Sequence, residues 1–157
     1  MVTNEATMPL DPETGRFGTL LSQTARAWRR AVDQRLQPFG LTEATWLPLL
    51  RLARARTPMR QKDLAASLSL DGSSVVRLLD NLEKAALIER REDDSDRRAK
   101  AIVLTRQGKA IVERVEKMAR QVREETLGML APQEVETTMR VLDQICHMLA
   151  AEELVPA

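Results

Sequence analysis

A chain of 157 residues with a net charge of +1 can fill one or two small cores, which excludes a large multidomain protein. Hydrophobic residues make up 43% and aromatics only 3%, which favours helices built on Leu, Ala, Val and Met over a β-sandwich. No apolar run approaches the ~20 residues needed to cross a bilayer, and the single Cys146 excludes an internal disulfide framework and fits a reducing cytoplasm.

Charge is spread unevenly. Residues 111–157 hold nine Asp/Glu against five Lys/Arg, while the rest is mildly basic. That permits a nucleic-acid surface on the earlier part, although solvated helix faces would give the same balance.

The opening residues 1–14 are polar and proline-bearing. They read as a flexible tail and, with no basic start or apolar stretch, not as a signal peptide. Phe17, Leu20, Leu21, Trp28, Val32 and Leu36 recur at helical spacing, predicting a helix over 15–37 that stops at Pro38–Gly40. Thr42 suits the N-cap of a second helix carrying Trp46, Leu49, Leu50 and Ala53. Pro48 inside it is expected to kink or shorten it. A third helix is predicted over 60–68, introduced by Thr57 and Pro58.

After "SLDGSS" a fourth helix begins at Asp71 or Gly72, with capping residues Asp71, Ser73 and Ser74 at its start. Two short helices joined by a tight turn outline a helix-turn-helix. Val75, Val76, Leu79 and Leu82 form the expected buried side of the fourth helix, leaving Ser73, Ser74 and Arg77 outward. Residues 87–91 and 101–104 read as two strands around a polar tip, a β-hairpin. Thr105 then caps a long helix, and Pro132 at a first helical position opens the last one. That last helix carries Val135, Met139, Leu142, Ile145 and Leu149.

A helix-turn-helix followed directly by a hairpin is a winged helix. The fold class predicted is therefore mainly α (α+β), a winged helix-turn-helix flanked by N- and C-terminal helices whose apolar stripes exceed what one small winged helix can cover, so that they are expected to serve dimerisation. The divisions are a tail (1–14), N-terminal dimerisation or linking helices (15–56), the winged helix (57–104) and C-terminal dimerisation helices (105–157), in one compact unit. The second helix of the motif fits a major groove, whose edges distinguish all four base pairs. A hairpin tip bearing arginine suits the adjacent narrow, electronegative minor groove.

Arg77 is the candidate base reader, because a guanidinium can bond a guanine edge with two donors. Ser73 and Ser74 suit base or phosphate contacts beside the free N–H groups of the helix start. On the wing the candidates are Arg97, Arg98 and Lys100, with Asp96 as the carboxylate that pairs with an arginine and fixes its direction.

The run from Gln61 to Thr105 resembles the winged helix of the MarR family of bacterial transcription regulators. Its signature, Asp-x-Arg, five residues, then Leu-Thr, is matched by Asp96, Arg97, Arg98, residues 99–103, Leu104 and Thr105. The residues from Ala25 to Leu50 are similar to the first two helices of the SlyA-like branch. The resemblance implies a cytoplasmic homodimer that binds pseudo-palindromic double-stranded DNA, one winged helix per half-site, and controls transcription without a cofactor. It departs in one place. Where the family has Lys-Gly-Leu after the recognition helix, this chain has Ala85-Ala86-Leu87; an alanine in the left-handed region costs roughly 1 kcal/mol, so the helix end is expected to be slightly strained or shaped differently, with the wing kept.

The resemblance also implies a small aromatic or phenolic effector that releases DNA from a repressor. Trp28 and Trp46 lie on the helices that would line its cleft, and Arg26 or Arg29 could hold a carboxylate. The alternative is that the same residues are core tryptophans bridging helices and solvated or ion-paired arginines. Cys146, among Ile145 and Leu149, is expected to be a small buried hydrophobe. With His147 it supplies too few ligands for a metal. Two other classes stay in view. An enzyme lacks any nucleophile motif or phosphate loop here. A winged-helix protein-interaction module would carry an apolar cluster on the fourth helix instead of serines and an arginine.

Overall fold

The computed structural model describes residues 14–93 and 96–152. Residues 1–13 of the expected tail, Asp94 and Ser95 at the expected wing tip, and the side chain of Arg97 lie outside the described residues. The chain divides into two compact units, Met1–Val115 and Glu116–Ala157.

In the first unit, α1 (Phe17–Leu36) buries Val32 and Leu36, one turn apart. Its other end leaves Phe17, Leu20 and Leu21 exposed. A 3-10 turn (Gln37–Phe39) follows, closed by Gly40 with φ 70°, a left-handed conformation that glycine adopts without a Cβ clash. Helix α2 (Glu43–Arg54) runs through Pro48 as one helix, neither ended nor cut short there. Pro48 lacks a single N–H, and its ring is fully buried in the core, which offsets the missing bond.

The motif helices are α3 (Gln61–Leu68) and α4 (Gly72–Lys84). Before them lies a strand that the sequence does not announce: β1 (Met59–Arg60) pairs antiparallel with β3, Met59 opposite Ile102. The hairpin strands, β2 (Ile88–Asp93) and β3 (Asp96–Leu104), are longer than predicted, and the sheet order is β1-β3-β2. Near the tip both faces meet solvent, so the alternation that marks a half-buried strand is absent there. Leu36, Leu49, Leu64, Leu79 and Ile88 are fully buried, each contributing about 1.5–3 kcal/mol of hydrophobic stabilisation.

On α4 the buried positions are Val75, Leu79 and Leu82, whereas Val76 is 41% exposed. The buried stripe follows spacings of four and three, and Val76 stands one residue round from it.

Helix α5 (Arg106–Leu127) begins in the first unit and ends in the second, which also holds α6 (Pro132–Glu152). Pro132 takes the first position of α6, and Glu134 accepts the Ala131 N–H at 3.1 Å. The apolar positions of α6 are not all covered: Met139 is 62% exposed and Leu149 59%. Cys146 is exposed as well, not buried as expected, because it sits beside Ile145 on the outer side of the half-buried stripe Leu142–Ile145. No helix among the described residues is long and apolar enough to cross a membrane.

Candidate nucleic-acid interface

The turn between α3 and α4 is closed by backbone. Ser69 takes φ 53°, its N–H donates to Ala66 O at 3.2 Å, and the Leu70 N–H donates to Ala65 O at 2.9 Å. These bonds satisfy the last carbonyls of α3 and turn the chain sharply. Asp71 then caps α4, its Oδ1 accepting the Ser74 N–H at 2.7 Å and the Ser73 hydroxyl at 2.8 Å. The Ser74 N–H first, and then the two serine hydroxyls, hold the Asp71 carboxyl below its ordinary value. The start of α4 is therefore less of a donor surface than expected. The Ser74 N–H and the Ser73 hydroxyl proton are committed to Asp71, and carboxylate and hydroxyl lone pairs remain outward.

Ser73, Ser74, Val76 and Arg77 are exposed together on α4, and no carboxylate among the described residues pairs with Arg77. Val76 is the residue that sequence reasoning missed here; spacing alone could have found it, because 75, 79 and 82 already complete a buried stripe.

The wing is tied to the helix-turn-helix at three places, two of them on α4. Arg90 of β2 reaches Asp80 at 2.7 Å and Glu83 at 3.5 Å, both on α4. Its Nε is buried without a partner among the described residues. At the other end of the motif, Arg60 donates from Nε to Asp93 at 2.9 Å and pairs with it through Nη2 at 2.8 Å. The third tie is the end of α4. Ala86 takes φ 57°, its N–H donates to Glu83 O at 2.9 Å, and the Leu87 N–H donates to Leu82 O at 3.0 Å. This is a left-handed helix end made with alanine where glycine is favoured; the Ala85-Ala86-Leu87 departure is accommodated by strain and not by a different shape of the helix end. Gly108 of α5 packs so close to it that a Cβ there would collide with the Leu87 carbonyl oxygen.

At the outer part of the wing, Asp96 Oδ1 accepts the backbone N–H of Arg98 at 2.9 Å. This backbone bond closes a short local turn; the arginine side chain expected beside Asp96 includes Arg97, whose side chain lies outside the described residues. Arg98 and Lys100 are exposed. Arg90 and Asp93 were not legible as structural residues, since "ERRED" reads as surface charge, and nothing local marks Arg60 as the partner of Asp93. Only the register, with Arg90 opposite Ile102, turns Arg90 inward.

The candidate effector residues separate. Trp46 is 2% exposed and its indole N–H donates to Asp33 Oδ1 at 3.1 Å, so a buried polar tip is satisfied within the core. Trp28 is half-buried. Arg26 and Arg29 line a shallow depression with Asp33 and Glu43, and Arg29 stands 4.0 Å from Glu43. Only Arg29 of the four also lines a cleft of about 480 Å3 beside α4, with Leu47, Pro48, Leu70, Leu78 and Arg77. Neither tryptophan lines that cleft; its apolar walls are aliphatic.

A model of the MarR family matches residues 41–100. The fold is similar to that of the transcriptional regulator PA3341, with 42% identity, a TM-score of 0.79, and coverage of 86% of this chain and 98% of that one. MepR of S. aureus, solved as a DNA complex, has 28% identity and a TM-score of 0.69 over 84% of this chain and 97% of its own. CouR of Rhodococcus jostii RHA1, solved bound to p-coumaroyl-CoA, has 28% identity and a TM-score of 0.71 over 82% and 90%. With the winged helix, the flanking helices and the Asp96–Thr105 signature in one chain, the protein belongs to the MarR family of transcription regulators.

Proposed function

We propose that the protein is a homodimeric repressor that binds a pseudo-palindromic duplex in the cytoplasm and releases it to a small aromatic carboxylate. The observation that carries this reading is the outward face of α4, polar and cationic through Ser73, Ser74 and Arg77, locked to a wing bearing Arg98 and Lys100 by the Arg90 bridges. In the major groove Arg77 bonds a guanine edge, and Val76 packs on a thymine methyl. Ser73 and Ser74 serve the same groove. Arg97, Arg98 and Lys100 serve the adjacent minor groove and its phosphates, with Asp96 holding the backbone from which Arg98 projects. MepR, which binds DNA in its solved complex, supports the same use of this fold.

Dimerisation is supported by apolar surface that one chain leaves open: Phe17, Leu20 and Leu21 on α1, and Met139, Met148 and Leu149 on α6. Faces of this kind are covered by a partner in stable proteins. A two-fold axis would set the two recognition helices one DNA turn apart, about 34–36 Å. The effector is assigned to the cleft beside α4, with its aliphatic walls around an aromatic ring and its carboxylate at Arg29 or Arg77. CouR, with p-coumaroyl-CoA bound, supports an aromatic acyl ligand. The role is regulatory and involves no reaction, as the family assignment carries.

Fluorescence anisotropy tests this reading, comparing duplexes from upstream of the coding sequence with random duplexes, with and without hydroxybenzoates. Selective binding that a hydroxybenzoate reverses supports it. Binding no tighter than to random DNA would reject the groove contacts and favour a protein-interaction module.

A further inference from the structure

In the reading above, α4 and the wing serve adjacent grooves, so one sugar-phosphate strand has to pass between them. A second cleft, of about 500 Å3, lies between the start of α3 and the wing. It is lined by Arg60, Gln61, Lys62, Arg90, Lys100 and Ile102, with no carboxylate among the described lining residues. Its two arginines already have partners, Arg60 in Asp93 and Arg90 in Asp80 and Glu83. They shape the walls and add little net charge.

Lys62 and Lys100 differ. Both are exposed, and neither has a carboxylate partner among the described residues. Glu92 lies across the ladder from Lys100, yet no ion pair joins them. Two ammonium groups from different elements thus border one cleft with no ion pair engaging either of them among the described residues, a setting that favours an anion. Gln61 adds a neutral amide donor of the kind common at DNA phosphates.

We propose that this cleft seats one phosphate of the DNA backbone, held jointly by Lys62 of α3 and Lys100 of β3. The inference rests on the DNA-binding reading and deepens it. The seat fixes the register of the winged helix on the duplex while reading no base. It also gives Lys100 a partner on the first helix of the motif, so that the strand between the two grooves is gripped from both sides.

The test is a salt titration of duplex binding by the full-length protein, with Lys62→Gln, Lys100→Gln and the double variant. Both lysines are exposed, so the substitutions leave the core intact. Each single variant is expected to lower the slope of log K against log salt by less than the value for one phosphate, about 0.9, because the remaining lysine still neutralises it. The double variant is expected to lower it by about 0.9, because both side chains serve one phosphate. Affinity for operator and random duplexes should fall by the same factor. Slopes equal to wild type, or a loss in the double variant of about twice 0.9, which would mean two separate phosphates, overturn the proposal. A wild-type protein that binds no duplex in a salt-dependent way overturns the DNA-binding reading itself, a different and separately visible result.

Discussion

The hydroxyl of Thr105 donates to the carbonyl oxygen of Ala86 at 2.6 Å, so the residue that ends the wing grips the residue that ends the recognition helix. The same Oγ accepts the Gly108 N–H at 3.0 Å as the cap of α5, and the Thr105 N–H donates to Leu87 O at 3.1 Å. One side chain therefore joins α4, the wing and α5. Thr105→Val keeps the shape and removes the cap and the tie together. It should cost about 2 kcal/mol in urea unfolding, roughly half from the cap and half from the lost hydrogen bond. A loss below a few tenths of a kcal/mol would mean the junction is held by packing alone.

Ala86 holds a left-handed backbone without the glycine that would adopt it freely. Ala86→Gly should stabilise the protein by about 1 kcal/mol, since the Cβ strain relieved exceeds the entropy added to the unfolded chain. Gly108→Ala should act in the opposite direction, because its Cβ would meet the Leu87 carbonyl. Thermal unfolding of both variants at one protein concentration checks the two signs.

Arg77 and the wing arginines should fail in different ways. Arg77→Ala is expected to cost about 1–3 kcal/mol on the preferred duplex and to flatten its base preference at one position per half-site. Arg97→Ala/Arg98→Ala should weaken all duplexes more evenly and reduce the salt slope. Binding to a panel of single-base operator variants separates them; identical preference profiles for wild type and Arg77→Ala would remove Arg77 from the base-reading role.

Arg90 has no proposed contact with DNA, yet it sets where the wing stands relative to α4. Arg90→Met leaves Asp80 and Glu83 without their partner. The bridge is half open to solvent, so the stability loss should be modest, about 1 kcal/mol. DNA affinity should fall by more than that loss explains, because two groove-binding elements would no longer be held at one spacing. Unfolding and duplex binding measured on the same preparation decide it; an affinity unchanged from wild type would make Arg90 a stabilising residue only.

The Asp71 cap carries an acid dependence with a definite sign. Hydrogen bonds from Ser74 and Ser73 hold its carboxyl below the ordinary 3.8. Its stabilising effect is therefore fully present above that value and is lost as pH falls through the lowered one. Asp71→Ala should lower the unfolding midpoint at neutral pH, and the gap from wild type should close in strong acid. Asp71→Asn, which still caps, should keep most of the stability at both extremes. A gap that persists unchanged in strong acid would exclude the ionised cap as its source.

The amino-acid sequence by itself determined the order of elements and the family. Helical spacing from Phe17 to Leu36, the caps at Asp71 and Thr105, and the Asp96–Thr105 signature are local patterns, and hydrophobic periodicity and capping act over a few residues. At Ala86 the sequence marked a departure from the family's glycine, and the structure decided that the left-handed backbone is kept. The tertiary structure decided what depends on residues far apart in the chain. Whether Arg90 is a surface charge or a bridge depends on the β2–β3 register. Whether Trp46 lines a cleft or fills the core depends on Asp33, thirteen positions away, accepting its indole N–H. The pairing of Arg60 with Asp93 and the short strand β1 likewise exist only once the hairpin folds back. Such contacts leave no periodic mark in the sequence, because they follow from packing between elements and not from the preferences of any one of them.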